Sequence, residues 1–227
     1  MGGFFGAASR KSCKYDVFFG TDYHSHLGTK RGGLAFYDPD KGFQRQIHNI
    51  ENTPFRTKFE SDLEKFSGCY GLGCISDTDP QPLLVRSHLG LFAISTVGII
   101  TNAEELVEKT FSGPGYQFMA MSSGKVNATE LTAALINRCD NLIDGIRYAQ
   151  AAIEGSCTIL ILNQDGLIAA RDSMGRLPIV IGQGEKGCCA AMESFACQKL
   201  GYQPCYNLGP GEIVRVPPDG WQQPFSP

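Results

Sequence analysis

Leu91-Phe92-Ala93-Ile94-Ser95-Thr96-Val97-Gly98-Ile99-Ile100-Thr101-Asn102-Ala103-Glu104-Glu105-Leu106 is the stretch on which the reading of this chain turns. Leu91 to Ile100 is a long apolar run of strand character. Asn102 then offers an N-cap oxygen and Glu105 stands three residues on, the spacing of a capping box, so a helix is expected to start there. Gly98, near the end of the strand, allows a tight backbone approach or a φ > 0 conformation.

Outward from this junction the chain reads as strands at both ends with helices between. Upstream, Gly2 to Ala8 and Gly32 to Tyr37 read as strands, the second ending at the turn Asp38-Pro39-Asp40. Thr57 to Phe66 places Phe59, Leu63 and Phe66 at helical spacing. Tyr70 to Ile75 and Leu83 to Arg86 are strand-like, separated by Asp77-Thr78-Asp79-Pro80. Downstream, Thr129 to Arg138 and Leu142 to Ile153 are expected helices. Strands return over Cys157–Leu162, Leu167–Arg171, Ile179–Gly182, Cys188–Met192 and Glu212–Val216, with a hairpin turn at Asn163-Gln164-Asp165-Gly166. The order predicts an α+β domain of two stacked sheets with helices outside them.

The bulk composition narrows the function classes. The 227 residues suffice for one large domain with its own core, and 42% hydrophobic with 19% charged residues describes an ordinary globular chain. A net charge of -3 gives no general attraction to nucleic acid or to an anionic membrane. No apolar run approaches the ~18 residues of a membrane span, and no signal peptide is visible. The nine cysteines are odd in number and contain no CxxC pair, which argues against a disulfide framework or a zinc site and for buried thiols in a reducing cytosol. His24, His26, His48 and His88 show no metal-ligand spacing, so neither metal nor cofactor is expected.

Several segments, taken in order, resemble one family. Met1-Gly2-Gly3-Phe4-Phe5-Gly6 is similar to the Met-Cys-Gly-aliphatic-x-Gly start of class II glutamine amidotransferases. His26-Leu27-Gly28 running on to Gly33-Leu34-Ala35 is similar to His-Arg-Gly…Ala-Gly-Ile, and Gly71-Leu72-Gly73 with Gln81-Pro82 to Gly-aliphatic-Gly-His-x-Arg-Tyr-Ser-Thr…Gln-Pro. Gly98 to Leu106 resembles Asn-Gly-Asn-aliphatic-Thr-Asn-Ala-Glu-Glu-Leu. Arg171-Asp172-x-x-Gly175-Arg176-x-Pro178, then Glu193-Ser194 and Gly209-Pro210-Gly211-Glu212-Ile213, resembles Arg-Asp-x-x-Gly-aliphatic-Arg-Pro…Ser-Glu-Ser…Pro-Gly-Glu-Ile. Together these resemble the glutaminase half of amidophosphoribosyltransferase. The resemblance implies an α+β fold, the four-layer αββα sandwich of the N-terminal-nucleophile hydrolases. It would occupy residues 1–216, with 217–227 a tail or the start of a linker to a C-terminal phosphoribosyltransferase domain. The PRPP loop of such a domain does not occur in this chain.

In that family the exposed Cys thiol attacks the glutamine amide, with its own α-amino group as base. Aligned on the motifs, the nucleophile position is Gly2, and the His-Arg-Gly arginine is Leu27. The arginine that grips the glutamine α-carboxylate falls at Ser76, and the oxyanion-hole asparagine at Val97, leaving Gly98 with only a backbone N–H. The aspartate that receives the α-amino group falls at Ala128, within Asn127-Ala128-Thr129-Glu130. Loss of such a nucleophile costs on the order of 10⁶ in rate, and loss of one oxyanion donor roughly 10²–10³. No catalytic residue is therefore expected to be intact, and glutaminase activity and tight glutamine binding are expected to be absent. Cys13-Lys14-Tyr15-Asp16 does not continue as Gly-aliphatic-x-Gly, so Cys13 is not read as a processed nucleophile.

The former substrate pocket is expected among His26, Ser76, Asp77, Asn127 and Ala128. Asp77-Thr78-Asp79 reads as a turn, with presentation of carboxylates to that pocket as the other reading. Lys30-Arg31 reads as a solvated pair and Thr129-Glu130 as a helix start. Thr101-Asn102 and Arg171-Asp172 have structural readings as a cap and as a lock on neighbouring loops. The resulting expectation is a degenerate, cytoplasmic glutamine amidotransferase domain of an amidophosphoribosyltransferase-like protein. The alternatives are a small-ligand-sensing module and a scaffold that self-associates into homo-oligomers.

Overall fold

The computed structural model describes residues 2–111, 121–122 and 125–225. One sheet has seven strands and the other five, and every pairing within them is antiparallel. The first sheet contains β1 (Gly2–Ser9), β2 (Arg31–Asp38), β3 (Gly42–Asn49), β4 (Tyr70–Ser76), β11 (Val180–Gly184), β12 (Gly187–Ala191) and β13 (Gln203–Asn207), in the order β13-β11-β12-β1-β4-β2-β3. The second contains β5 (Leu83–Ser87), β6 (Gly90–Ile100), β9 (Gly155–Asn163), β10 (Gly166–Ala170) and β14 (Ile213–Val216), in the order β14-β10-β9-β6-β5. Two short strands, β7 (Met121–Ser122) and β8 (Lys125–Val126), pair with each other. The helices are α1 (Lys14–Asp22), α2 (Phe55–Phe59), α3 (Ala103–Phe111), α4 (Ala128–Ile136), α5 (Leu142–Ala152) and α6 (Ser194–Lys199).

Strand alternation sorts the apolar residues into three layers. Phe4, Ala8, Ala35, Leu72 and Cys74 of the first sheet meet Val97, Leu160, Leu162, Leu167 and Val214 of the second in a central core. Phe5, Ala7, Leu34 and Phe36, on the other face of the first sheet, pack with Val17 and Phe18 of α1, Phe55 and Phe59 of α2 and Ala196 of α6. Ile94, Ile159 and Ile161, on the outer face of the second, pack with Leu106, Leu131, Leu135 and Ile146 of α3 to α5. Each fully buried Leu, Ile or Phe contributes about 1.5–3 kcal/mol before conformational entropy is charged against it. This is the expected αββα sandwich. Among the described residues no helix is long and apolar enough to cross a membrane.

The long strand over Leu91–Ile100 and the hairpin at Asn163–Gly166 form as expected, the latter with Asp165 N–H donating to Asn163 Oδ1 at 2.9 Å. Two local expectations are corrected. The helix expected over Thr57–Phe66 is α2 followed by a single 3₁₀ turn, Glu60–Asp62, because His48 and Lys65 take up the Asp62 carboxylate at 2.6 and 2.7 Å. Asn102 begins α3 without spending its side chain on it. Its amide donates to Ala152 O and accepts from Glu154 N–H, tying α3 to the end of α5, while Glu105 pairs with Lys109. Sequence periodicity gave no sign of α1, β3, α6 or β13. β3 and β13 are edge strands of mixed burial, and their polar Gln44-Arg45-Gln46 and proline-containing Gln203-Pro204 carry no alternation. Residues 217–225 of the tail fold back: Phe225 bridges Ile213, and Trp221 stacks on Tyr206.

Candidate functional site

β1, β4 and β2 are neighbours, and their register puts Gly2, Ser76 and Arg31 in one row across three strands. The next row on the same face is Phe4, Cys74 and Gly33, with Phe4 and Cys74 in the central core. The Gly2–Ser76–Arg31 row therefore lies at one end of the space between the sheets, with Gly2 and Ser76 buried and Arg31 half-buried.

Gly2 leaves no room for a side chain on this backbone. A Cβ there would lie 2.4 Å from the Ile75 carbonyl oxygen, inside any tolerated contact. Cys74 is buried in the core and its thiol is pushed up by burial to about 12. Cys13 is buried under α1, burial raises its thiol well above the ordinary value, and its Sγ–H faces Gly68 O at 3.7 Å. A thiol that burial keeps protonated is a poor nucleophile.

Ser76 opens a chain of short contacts that links the two sheets and α4. Its hydroxyl accepts from Thr78 N–H at 3.2 Å and from Gln81 Nε2 at 3.5 Å. The buried Gln81 also pairs with the β6 backbone, donating from Nε2 to Thr96 O at 3.1 Å and accepting from Thr96 N–H at 2.7 Å. The Gln81–Pro82 peptide is cis. The Thr96 hydroxyl then shares a hydrogen bond of 2.7 Å with Thr129 in the first turn of α4. Asn127 caps that helix, accepting from Thr129 and Glu130 N–H at 2.8 and 3.0 Å. Its Nδ2 is fully buried and has no partner among the described residues.

Asp79 reaches the same helix end and accepts from Ala128 N–H at 3.1 Å. Burial pushes its carboxyl above the usual range, against the pull of that N–H and of Arg31, the cation it feels. Arg31 and Asp79 are not within ion-pair distance of each other among the described residues. Asp77 Oδ1 accepts from Thr29 N–H at 2.6 Å, and this bond foremost holds its carboxyl below the usual range.

Val97 is buried in the central core and contributes no polar side-chain atom. Gly98 has φ +153° and pairs with Cys157, and a Cβ there would meet the Ser156 carbonyl at 2.0 Å. Glycine is thus required at 98 for close strand approach. Ser76, Asn127 and Ala128 are brought together through Gln81, Thr96, Thr129 and Asp79. His26 is not part of this set, since its Nε2 lies 3.2 Å from Glu193 Oε1 at the start of α6. Sequence reasoning passed over Gln81, Thr96 and Arg31 as site residues. Gln81-Pro82 was a visible motif, whereas Arg31, read as part of a solvated pair, is half-buried and owes its place to strand register.

A family model described as a glutamine amidotransferase domain matches residues 59–197. The amidophosphoribosyltransferase of Methanocaldococcus jannaschii is 27% identical over 228 residues, covering 95% of this chain and 47% of its own length. That of Escherichia coli is 23% identical, covering 97% and 47%. The chain spans about half the length of the curated relatives it matches. Among solved structures, the glutamine phosphoribosylpyrophosphate amidotransferase of B. subtilis, complexed with ADP and GMP, superposes with a TM-score of 0.84 at 24% identity, over 99% of this chain and 49% of that one. A glutamine aminotransferase class-II domain protein from Silicibacter pomeroyi superposes with a TM-score of 0.66 at 14% identity, over 99% of this chain and 100% of that one. The same fold thus occurs both as half of a longer chain and as a whole chain.

Proposed function

This chain belongs to the glutamine amidotransferase domain family, and from that premise we propose that it is a member whose glutaminase chemistry is lost. The observation that carries the reading is Gly2. It holds the first strand position, where the family motif has its cysteine, and the Ile75 carbonyl occupies the space a Cβ would need. The other losses agree with it. Ser76 and Ala128 carry no charge for a substrate carboxylate or ammonium group, and Val97 offers no oxyanion donor. The domain acts in the cytoplasm as the N-terminal part of an amidophosphoribosyltransferase-like protein, packed against a phosphoribosyltransferase domain that takes ammonia from solution or from a partner. The half-length match to full amidophosphoribosyltransferases supports this. The test is glutamate release from glutamine by the purified chain, with intact mass recorded on the same sample. The expected result is no release with Gly2 at or one residue from the N-terminus. Turnover with cleavage before Cys13 would overturn the reading.

A second reading, a small-ligand-sensing module, is favoured by one observation. Asn127 Nδ2 is buried without a partner among the described residues, at the helix end where Asp79 accepts from Ala128 N–H. A buried donor of this kind costs roughly 1–3 kcal/mol until something accepts from it. A screen of amino acids and nucleotides for a rise in melting temperature decides it. A rise that disappears in Asn127→Ala supports sensing, and no rise with any compound removes the reading.

A further inference from the structure

Away from the Gly2 end, the outer face of the first sheet holds a close pair of thiols. Cys189 lies in the middle of β12, in register with Ala7 of β1 and Gly182 of β11. Cys197 belongs to α6, which packs on that face. Both side chains are fully buried, and Cys189 Sγ–H donates to Cys197 Sγ at 3.4 Å. Gly182 makes the room: a Cβ there would lie 2.8 Å from Cys189 Sγ and 3.2 Å from Cys197 Cβ. Other buried thiols face different atoms, Cys13 the Gly68 carbonyl and Cys157 the Thr132 hydroxyl.

We propose that Cys189 and Cys197 form an oxidation site that a peroxide closes into an intramolecular disulfide. The hydrogen bond from Cys189 favours the thiolate at Cys197 and lowers that thiol, while burial keeps Cys189 protonated. The Cys197 thiolate attacks one peroxide oxygen and the O–O bond breaks. Cys197 becomes a sulfenic acid, and the departing hydroxide takes up the thiol's proton as water. The Cys189 sulfur then attacks the sulfenic sulfur. The S–O bond breaks, and its hydroxyl leaves as a second water with the Cys189 proton. In sum, two thiols and one hydrogen peroxide give one disulfide and two waters.

Closing the bond brings the sulfurs from 3.4 Å to about 2 Å, which draws α6 toward β12. Glu193, just before α6, holds His26, and Phe195 within it rests against Tyr23 and His26. The movement is therefore passed to the His26-Leu27-Gly28 loop, where Leu27 covers Gly3 of β1.

The experiment exposes the folded chain to hydrogen peroxide, alkylates it under denaturing conditions, and reads intact mass and a non-reducing peptide map. Two of the nine thiols are expected to resist alkylation, to return after dithiothreitol, and to lie in a peptide linking Cys189 to Cys197. Alkylation of all nine, a different linked pair, or sulfinic acid at Cys197 without a link would overturn the proposal. In Cys197→Ala the attacking thiolate is gone and Cys189 stays protonated, so a carbon nucleophile specific for sulfenic acid is expected to leave Cys189 unlabelled after peroxide. Labelling of Cys189 in that variant would also overturn it. If the variant does not fold, the native chain's peptide map decides alone.

Discussion

The Arg171–Leu177 loop and the Gly2 end of the sandwich carry pieces of the same family pattern, and they differ in what their side chains touch. Arg171 spends its guanidinium on three backbone carbonyls, those of Leu177, Leu208 and Gly175. Asp172 accepts from the N–H groups of Met174, Arg176 and Leu177 and from the Thr158 hydroxyl. These charges are consumed by the protein's own backbone, which needs them whether or not a substrate ever binds. At the Gly2 end, on the proposed reading, Gly2, Ser76, Val97 and Ala128 stand where the family pattern has its nucleophile, its oxyanion donor and the charges that grip the substrate. Short neutral contacts through Gln81, Thr96 and Thr129 close the gap. On that reading, motifs that satisfy backbone have outlasted the chemistry of the site beside them.

The comparison breaks if the loop proves dispensable. Asp172 is buried, and Asp172→Ala strands three amide donors that each cost about 1–3 kcal/mol, so a loss of roughly 3–5 kcal/mol is expected in urea unfolding. A loss below about 1 kcal/mol would show that the loop is held by something else. At the other end, Gly2→Cys is expected to cost about 1–3 kcal/mol through the Ile75 carbonyl and to restore no glutamate release. Gain of turnover from that single change would mean that the rest of the site is intact. Asn127→Ala removes the cap of α4 together with the stranded Nδ2, so the cap's cost is partly offset and a net loss below about 1 kcal/mol is expected in thermal unfolding.

The smallest effect is a pH dependence. Burial raises the Asp79 carboxyl above its usual value, so the native state holds that proton more tightly than the unfolded chain. Its contribution to stability is therefore full below the unfolded carboxylate range and is lost as pH rises through the raised native value. Asp79→Asn keeps an acceptor for Ala128 N–H without that titration. Its stability relative to the native chain is expected to improve as pH rises toward neutral, as read from urea midpoints across pH. A relative stability that falls with rising pH would place Asp79 with carboxylates that are stabilised when ionised.

Much of the fold was legible because it is written in local signals. Leu91–Ile100, Asn163–Gly166 and the helices after Asn127 and Asn141 carry period, turn or cap chemistry in the residues themselves. β3 and α1 were not legible. Gln44-Arg45-Gln46 shows no alternation, and Phe18-Phe19-Gly20 shows no single apolar stripe. The losses proposed at positions 2, 76, 97 and 128 come from the family motifs alone. Arg31 was not legible, because its place comes from pairing between strands, and Asp79, offered only as the other reading of its turn, is set by a helix end brought in from 49 residues away. Asn102 had the right chemistry for a cap and uses it on Ala152 and Glu154 instead, a choice that tertiary packing makes.

The most direct test of a retained fold with a lost nucleophile is covalent trapping. The purified chain is incubated with an electrophilic diazoketone analogue of glutamine, and its peptides are mapped by mass. The account predicts that residues 2–13 and Cys74 stay unmodified, with any label confined to exposed thiols such as Cys205 and unaffected by excess glutamine. A stoichiometric adduct on Cys13 or Cys74 that glutamine protects against would contradict it.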